Sequence, residues 1–331
     1  MVKGLYIMNQ DTFDIVYPEQ VRKGIEAISD IYRPPMTNQQ IQQDISILKE
    51  VEVIFSGWGG PKLDQALLDA APNLKAFFYA AGSLKNIVTE ATWNRNLLMT
   101  NAVRANAIPV AEFTLSQILF CLKNGWAYTR SIRKTKQFPQ KPFNIPGAFG
   151  STVGIVSLST VGRIVCELLK PFDINIIGYD PYISDEEAKQ LGVELCSLEE
   201  TFKRSDVVSL HAPLLKETEG MITKEHFSVM PPNSSFINTS RGAIVREPEM
   251  IEVLQDRPDI TAVLDVTFPE PPSQDSPLYQ LENVVLTPHL AGSEGDECGR
   301  MGYYMLEEFK RYLNGEPLQW QVKKELFNIL A

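Results

Sequence analysis

Four apolar runs in the second half of the chain each end in a polar side chain. VVSL runs into His211, SFI into Asn238, Thr239, Ser240 and Arg241, TAVL into Asp265, and VVLTP into His289. A short Val, Ile and Leu run bounded by turn residues fits a strand covered on both faces, the kind that parallel sheets use. In such sheets ligands bind just beyond the carboxyl ends of the strands. Three of the four runs therefore bring Arg, Asp and His to one sheet edge, and Glu270 follows Asp265 in the same loop. One strand ending in His would say little; the repetition is what constrains the fold.

The remaining chain alternates in the same way. VKGLYIM, VEVIFS and LKAFFYA read as strands, separated by the helical stretches PEQVRKGIEAIS and KLDQALLDA, so the first hundred residues form a small α/β unit. Residues 109–124, PVAEFTLSQILFCLKN, read as a long apolar helix opened by a proline at its first turn. KTKQFPQKPFNIPGAFGS, rich in Pro, Gly and Lys, reads as an exposed arm or connector. A second α/β unit starts at Thr152 with strand TVGIVSL, helix VGRIVCELLK and strand INIIGYD, and continues to about residue 292. Residues 294–313 are helical, and the tail returns to the first unit, so the second is inserted into it. The expected division is residues 1–102 plus 293–331 for one domain and 103–292 for the other; 331 residues suffice for two cores.

A strand, tight turn, helix, second strand and then an acid is the mononucleotide-binding arrangement, whose usual turn is GxGxxG. Here the turn reads Ser157, Leu158, Ser159, Thr160, Val161, Gly162, so only the third glycine survives. Asp180 closes the second strand, where a carboxylate can hold both ribose hydroxyls. Taken alone, Gly162 also fits a helix-packing glycine, and Asp180 before Pro181 a turn initiator.

Composition excludes several classes. A formal net charge of −10 disfavours nucleic acid or an anionic membrane as partner. MVKGLYIMNQ lacks the apolar core and cleavage site of a signal peptide, and no apolar run reaches membrane-spanning length. Cys121, Cys166, Cys196 and Cys298 are scattered without metal-ligand spacing, so the expectation is free thiols in a reducing cytoplasm and no metal site.

Together NAIPVAE, TVGIVSLSTVGRIVCELLKPF, IIGYDPY, DVVSLHAPLLKET, FINTSRGAIV, AVLDVTFPEPP and VVLTPHLAGS resemble the D-isomer-specific 2-hydroxyacid dehydrogenases, densely from about residue 100 to 315. The resemblance implies a doubly wound, Rossmann-type NAD domain inserted into a smaller flavodoxin-like α/β substrate domain, with the active site in a cleft closed by hinge motion. It implies NAD as cofactor, a small 2-keto or 2-hydroxy acid as substrate, and Arg241, Glu270 and His289 as the catalytic set. It places Ser159, Thr160, Val161, Asp180, His211, Ala212, Pro213, Thr218, Thr239, Ser240, Arg241, Asp265, His289, Ala291 and Gly292 along the cofactor. Ala81, Gly82 and Ser83 would grip the substrate carboxylate beside Arg241 and His289, although Lys85 replaces the family's aspartate in that loop. The apolar helix and the arm over 131–150 are expected to build a homodimer. A homologue that keeps the fold for NAD(H) sensing or protein binding, without turnover, is the rival reading, and the serine turn is its support.

The chemistry suits these residue types. Arg is permanently charged and offers a planar fork of donors that can fix a carboxylate and polarise a carbonyl. His can give or take a proton near neutral pH, and a carboxylate against its far nitrogen stabilises the imidazolium and fixes the ring. His226, on an apparently amphipathic helix, is expected to face solvent. Singly, Arg241 also fits a surface ion pair and Glu270 a solvated loop; the joint spacing favours the catalytic set.

Overall fold

The computed structural model describes residues 1–140 and 145–327. Met1–Asn106, with the chain from Ser293 onward, forms one compact unit, and Ala107–Gly292 forms the other.

The first unit holds strands β1 (Val2–Ile7), β2 (Ser29–Ile31), β3 (Val53–Ser56), β4 (Ala76–Tyr79) and β5 (Leu98–Asn101). All pair in parallel, in the order β2-β1-β3-β4-β5, which is the flavodoxin-like arrangement. Both faces are covered. Ile7, Ile54, Phe77 and Tyr79 pack on one side, and Tyr6, Phe55, Phe78 and Phe309 on the other. Burial on both faces is why these runs are apolar throughout rather than alternating. The tail joins this unit: Trp320 O and Met99 O take part in bonds that lay residues 320–322 along β5. Glu308, fully buried, anchors the tail by accepting from the N–H groups of Gln319 (3.2 Å) and Trp320 (2.9 Å) while pairing with Arg311.

The second unit holds β6 (Thr152–Val156), β7 (Asn175–Tyr179), β8 (Val193–Leu195), β9 (Val207–Leu210), β10 (Ser235–Asn238), β11 (Thr261–Leu264) and β12 (Val284–Leu286). They form one parallel sheet in the order β12-β11-β10-β9-β6-β7-β8. From β6 the chain moves outward through β7 and β8, then returns to β9 on the other side of β6 and moves outward again. The reversal between β6 and β9 is the topological switch point, where a doubly wound sheet opens a crevice at its carboxyl edge.

Several sequence expectations are corrected. The apolar helix opens at Val103, not at Pro109, and runs to Cys121 with the proline inside it. Asn101 Oδ1 accepts the Val103 N–H at its start (3.4 Å). Pro109 cannot donate to Ala105, a loss that helix packing offsets. Ala105 lies in the core of the first unit and Ala107, Ala111 and Ile118 in that of the second, so the division falls at 106/107 inside the helix. Of the described residues of the expected connector, only the first two, Lys134 and Thr135, are helical, closing the helix Gly125–Thr135, which went unread in the sequence. Of the arm, Phe138 is 89% exposed, and residues 141–144 lie outside the described residues. The helix Gln10–Val16 and the short strands β2 and β5 went unrecognised in the sequence. Among the described residues no single helix is long and apolar enough to cross a membrane.

Candidate active site

The carboxyl edge of the second sheet collects the residues singled out above. After β6, Ser157 takes a left-handed backbone (φ 75°), the conformation for which the usual motif uses glycine. Helix Thr160–Leu169 then packs so tightly on this turn that a Cβ on Gly162 would stand 2.2 Å from Ser157 O. Gly162 is thus the one glycine of the motif that the fold cannot replace. Ser159 has ordinary extended backbone (φ −64°) and directs Oγ to His211 O at 2.8 Å. No side chain caps the helix, and the N–H groups of Thr160, Val161 and Gly162 have no acceptor among the described residues. Unpaired N–H groups at a helix start favour an anion such as a pyrophosphate, so this turn fits a dinucleotide despite its serines.

Asp180 follows β7 and is already engaged. Its Oδ2 accepts from Leu158 N–H (2.7 Å) and Ser157 Oγ (3.2 Å), and Oδ1 accepts from Tyr182 N–H (2.8 Å). Oδ1 keeps lone-pair capacity for a ribose hydroxyl, whereas the expectation gave the whole carboxylate to the ribose.

Past β9, His211 is buried, with Nε2 against Ser209 Oγ at 2.9 Å and Nδ1 without a partner among the described residues. Burial pushes its pKa down to about 3, so the ring is neutral. Ala212 O accepts from Ser240 Oγ, Pro213 O from Thr218 Oγ1 at 2.6 Å, and Thr218 Oγ1 from Leu215 N–H at 2.8 Å. Past β10, Thr239 Oγ1 meets Thr114 Oγ1 at 3.0 Å. Asn238 accepts from Ser240 N–H and donates to Arg241 O, tying the turn that presents Arg241. The Arg241 side chain is exposed, one Nη bonded to Ser240 O at 2.6 Å.

The last two strands bring three residues together. Asp265, 2% exposed, accepts from Thr287 Oγ1 (2.6 Å) and Leu290 N–H (2.9 Å) through Oδ1, and from Ala291 N–H (2.9 Å) through Oδ2. It thereby holds the turn that leads to Gly292. Within that turn His289 sits at φ 54°, its N–H shared between Asp265 O and Thr287 O. A bulky residue in this region persists only where its surroundings enforce it. His289 Nδ1 lies 2.6 Å from Glu270 Oε1, and both side chains are about half exposed. Nδ1–H donates to the carboxylate, which leaves Nε2 as the ring nitrogen available to exchange a proton.

In the other unit, Ala81, Gly82 and Ser83 follow β4, and the N–H groups of Gly82 and Ser83 find no acceptor among the described residues. Ser83 Oγ accepts from Lys85 N–H at 3.3 Å. His226 departs from expectation. It is half-buried, its ring 5.3 Å from that of Phe202, and its Nδ1 accepts Thr223 N–H at the head of helix Lys224–Ser228. Burial lowers its pKa. Thr114 and Thr287 were missed in the sequence, and Asn238, read there as a strand-end residue, was given no role; for Thr287, position at a strand end was the available signal.

Residues 115–291, more than half of the chain, match the family model described as D-isomer specific 2-hydroxyacid dehydrogenase, NAD binding domain. The D-3-phosphoglycerate dehydrogenase of Methanocaldococcus jannaschii is 34% identical over 300 residues, 90% of this chain and 56% of that protein. The enzyme of the same name from Mycobacterium tuberculosis is 35% identical over 254 residues, 77% of this chain and 48% of that one. The chain thus spans about half the length of the curated relatives it matches. In fold it resembles a phosphoglycerate oxidoreductase from Rhizobium etli (TM-score 0.82, 21% identity, 98% of this chain and 99% of that one). It also resembles the NAD-complexed D-isomer specific 2-hydroxyacid dehydrogenase of Lactobacillus delbrueckii ssp. bulgaricus (TM-score 0.79, 21% identity, 98% and 100%). With the family's NAD-binding domain filling its second unit, the chain belongs to the D-isomer specific 2-hydroxyacid dehydrogenases.

Proposed function

We propose that the protein interconverts a small 2-keto acid and the corresponding D-2-hydroxy acid, with NAD(H) as cofactor. The observation that carries this reading is the 2.6 Å pairing of His289 Nδ1 with Glu270, on the sheet edge that also presents Arg241. When bound, the nicotinamide supplies or accepts the hydride. Arg241, with donors to spare beyond its bond to Ser240 O, binds the substrate carboxylate and polarises the carbonyl. His289 Nε2 delivers a proton to the carbonyl oxygen on reduction and removes it on oxidation. Glu270 stabilises the imidazolium and holds the ring. The free N–H groups of Gly82 and Ser83 suit a carboxylate as well.

For the cofactor, Thr160 and Val161 N–H groups receive the pyrophosphate and Asp180 the adenosine ribose, while Ser159 shapes the turn. His211, Ala212, Pro213 and Thr218, then Thr239, Ser240, Asp265, Ala291 and Gly292, form the wall toward the nicotinamide. The unit Met1–Asn106 with the chain from Ser293 onward acts as the substrate domain, and Ala107–Gly292 as the NAD domain. We further propose a cytoplasmic homodimer. Phe120, 40% exposed on the apolar helix with its ring against Trp126, lies on the face that a second copy would cover. A monomeric mass by light scattering at micromolar concentration would refute the dimer.

The test of function is loss of NADH absorbance on adding glyoxylate, pyruvate or hydroxypyruvate. Turnover with one of them is expected. The rival reading, an NAD(H) sensor without turnover, draws on Asp180 being engaged by its own turn; NADH binding with no turnover across a 2-keto acid panel would favour it.

A further inference from the structure

The loop that carries Glu270 leaves β11 and has no regular structure until Pro277. A half-exposed loop would not by itself keep a carboxylate 2.6 Å from an imidazole. Successive residues of the loop are fastened instead. Gly242 approaches Thr267 so closely that a Cβ would stand 2.0 Å from the Thr267 carbonyl carbon. Thr267 Oγ1 donates to Pro269 O at 2.8 Å. Between these two ties, the Phe268 N–H donates to Glu247 Oε2 at 3.0 Å. Glu247 is half-buried; burial raises its pKa while the Phe268 N–H acts against that rise. It opens helix Glu247–Asp256 and is reached from Arg241 through the single tight turn Gly242–Ile244.

We propose that Glu247 is a positioning residue for the acid/base pair. By holding the Phe268 amide it sets where Glu270 stands against His289, and it ties that placement to the segment bearing Arg241. The inference rests on the roles proposed above for these three residues. The competing account is that Glu247 only places negative charge in the first turn of its helix, where any carboxylate is favourable.

Three substitutions separate the accounts. Glu247→Gln keeps an acceptor oxygen for the Phe268 amide and removes the charge. Glu247→Asp keeps the charge and shortens the reach. Glu247→Ala removes both. Positioning predicts that Gln retains most of kcat, while Asp and Ala lose roughly ten- to hundredfold, as expected when a reacting group is misplaced by about 1 Å. KM and NADH affinity should change little. Helix charge predicts the reverse order, with Asp close to wild type.

A second readout is independent of turnover. The chain has three histidines, so ring ¹⁵N resonances of His289 can be assigned by single substitutions. Glu270→Ala supplies the signal of the unpaired ring. In Glu247→Ala and Glu247→Asp the His289 Nδ1 signal should move toward that reference, and in Glu247→Gln it should stay. If the wild type reduces no 2-keto acid, the function proposed above fails, and the ¹⁵N comparison still decides the positioning role. Thermal unfolding identifies any variant that does not fold, and the remaining two carry the comparison. An unmoved Nδ1 signal in folded Ala or Asp variants overturns the proposal, whatever the activity does.

Discussion

Acidification should destabilise this protein through one buried ring. His211 is 4% exposed, and burial holds its pKa at about 3, against 6.5 for the free side chain. Between those values the unfolded chain binds a proton at this position and the folded chain does not. Stability from this group is therefore complete above pH 6.5 and declines as pH falls toward 3. Each full pH unit within the window costs about 1.4 kcal/mol, so moving from pH 7.5 to 5.0 should cost about 2 kcal/mol. His226, also lowered by burial, adds a cost of the same sign. Urea unfolding of wild type and His211→Gln at the two pH values isolates His211, because every other titrating group is common to both proteins. The wild type should lose about 2 kcal/mol more than the variant across this interval. Equal losses would show that His211 is not held neutral, and the reading of its orphaned Nδ1 as a desolvated atom would fall.

The other predictions concern the site. NADH should be strongly preferred to NADPH, because the Asp180 carboxylate would face a 2′-phosphate and residues 181–185 contain no Arg or Lys; comparable kcat/KM for the two would refute this. His289→Gln should lower kcat by roughly 10²–10⁴-fold with NADH affinity little changed, the usual worth of a placed acid/base group. Arg241→Lys should be nearly as damaging, since an ammonium cannot reproduce the fork; near wild-type kcat in either variant would remove the assigned role. Glu270→Gln should move the alkaline limb of the reduction profile to lower pH, because the imidazolium loses its stabilising partner; an unmoved limb would separate the two residues. Finally, Ser157→Gly/Ser159→Gly should bind NADH within about tenfold of wild type, because neither serine hydroxyl is directed at a phosphate and the backbone N–H donors are the same in both proteins. Binding by the variant alone, followed by fluorescence titration, would sink the enzyme reading.

The strands bearing the site could be read because three of them are buried along their whole length, the edge strand β12 is part-buried, and each run stops at a polar residue. VVSL, SFI, TAVL and VVLTP all lie in one sheet, and the loops after them hold His211, Arg241, Asp265 and His289. Where elements are short or their signals local, the reading failed. β2 has three residues, too few for a pattern, and β5 reads LMTN with polar residues at its end. Pro109 misled because proline is common in the first turn of helices, and here tertiary packing on both sides of residue 106 outweighs that preference. His226 looked solvent-facing because an amphipathic pattern does not reveal that its ring closes its own helix terminus.

The phosphate turn shows best how sequence and structure divide the argument. Loss of two glycines points to crowding at Ser159, where the family's backbone comes closest to the pyrophosphate. The strain lies instead at Ser157, the residue with positive φ, where a side chain costs about 1–2 kcal/mol. Ser157 recovers part of that through its hydroxyl on Asp180, and Ser159 pays no backbone penalty. Its hydroxyl goes to His211 O, so neither serine offers its proton to a phosphate as the turn stands. The donors that remain are backbone N–H groups, which any residue but proline supplies. That is why a turn with one glycine can keep the binding chemistry of a turn with three: Gly162 preserves the close packing of helix on strand, and the serines spend their hydroxyls holding the two neighbouring loops in place.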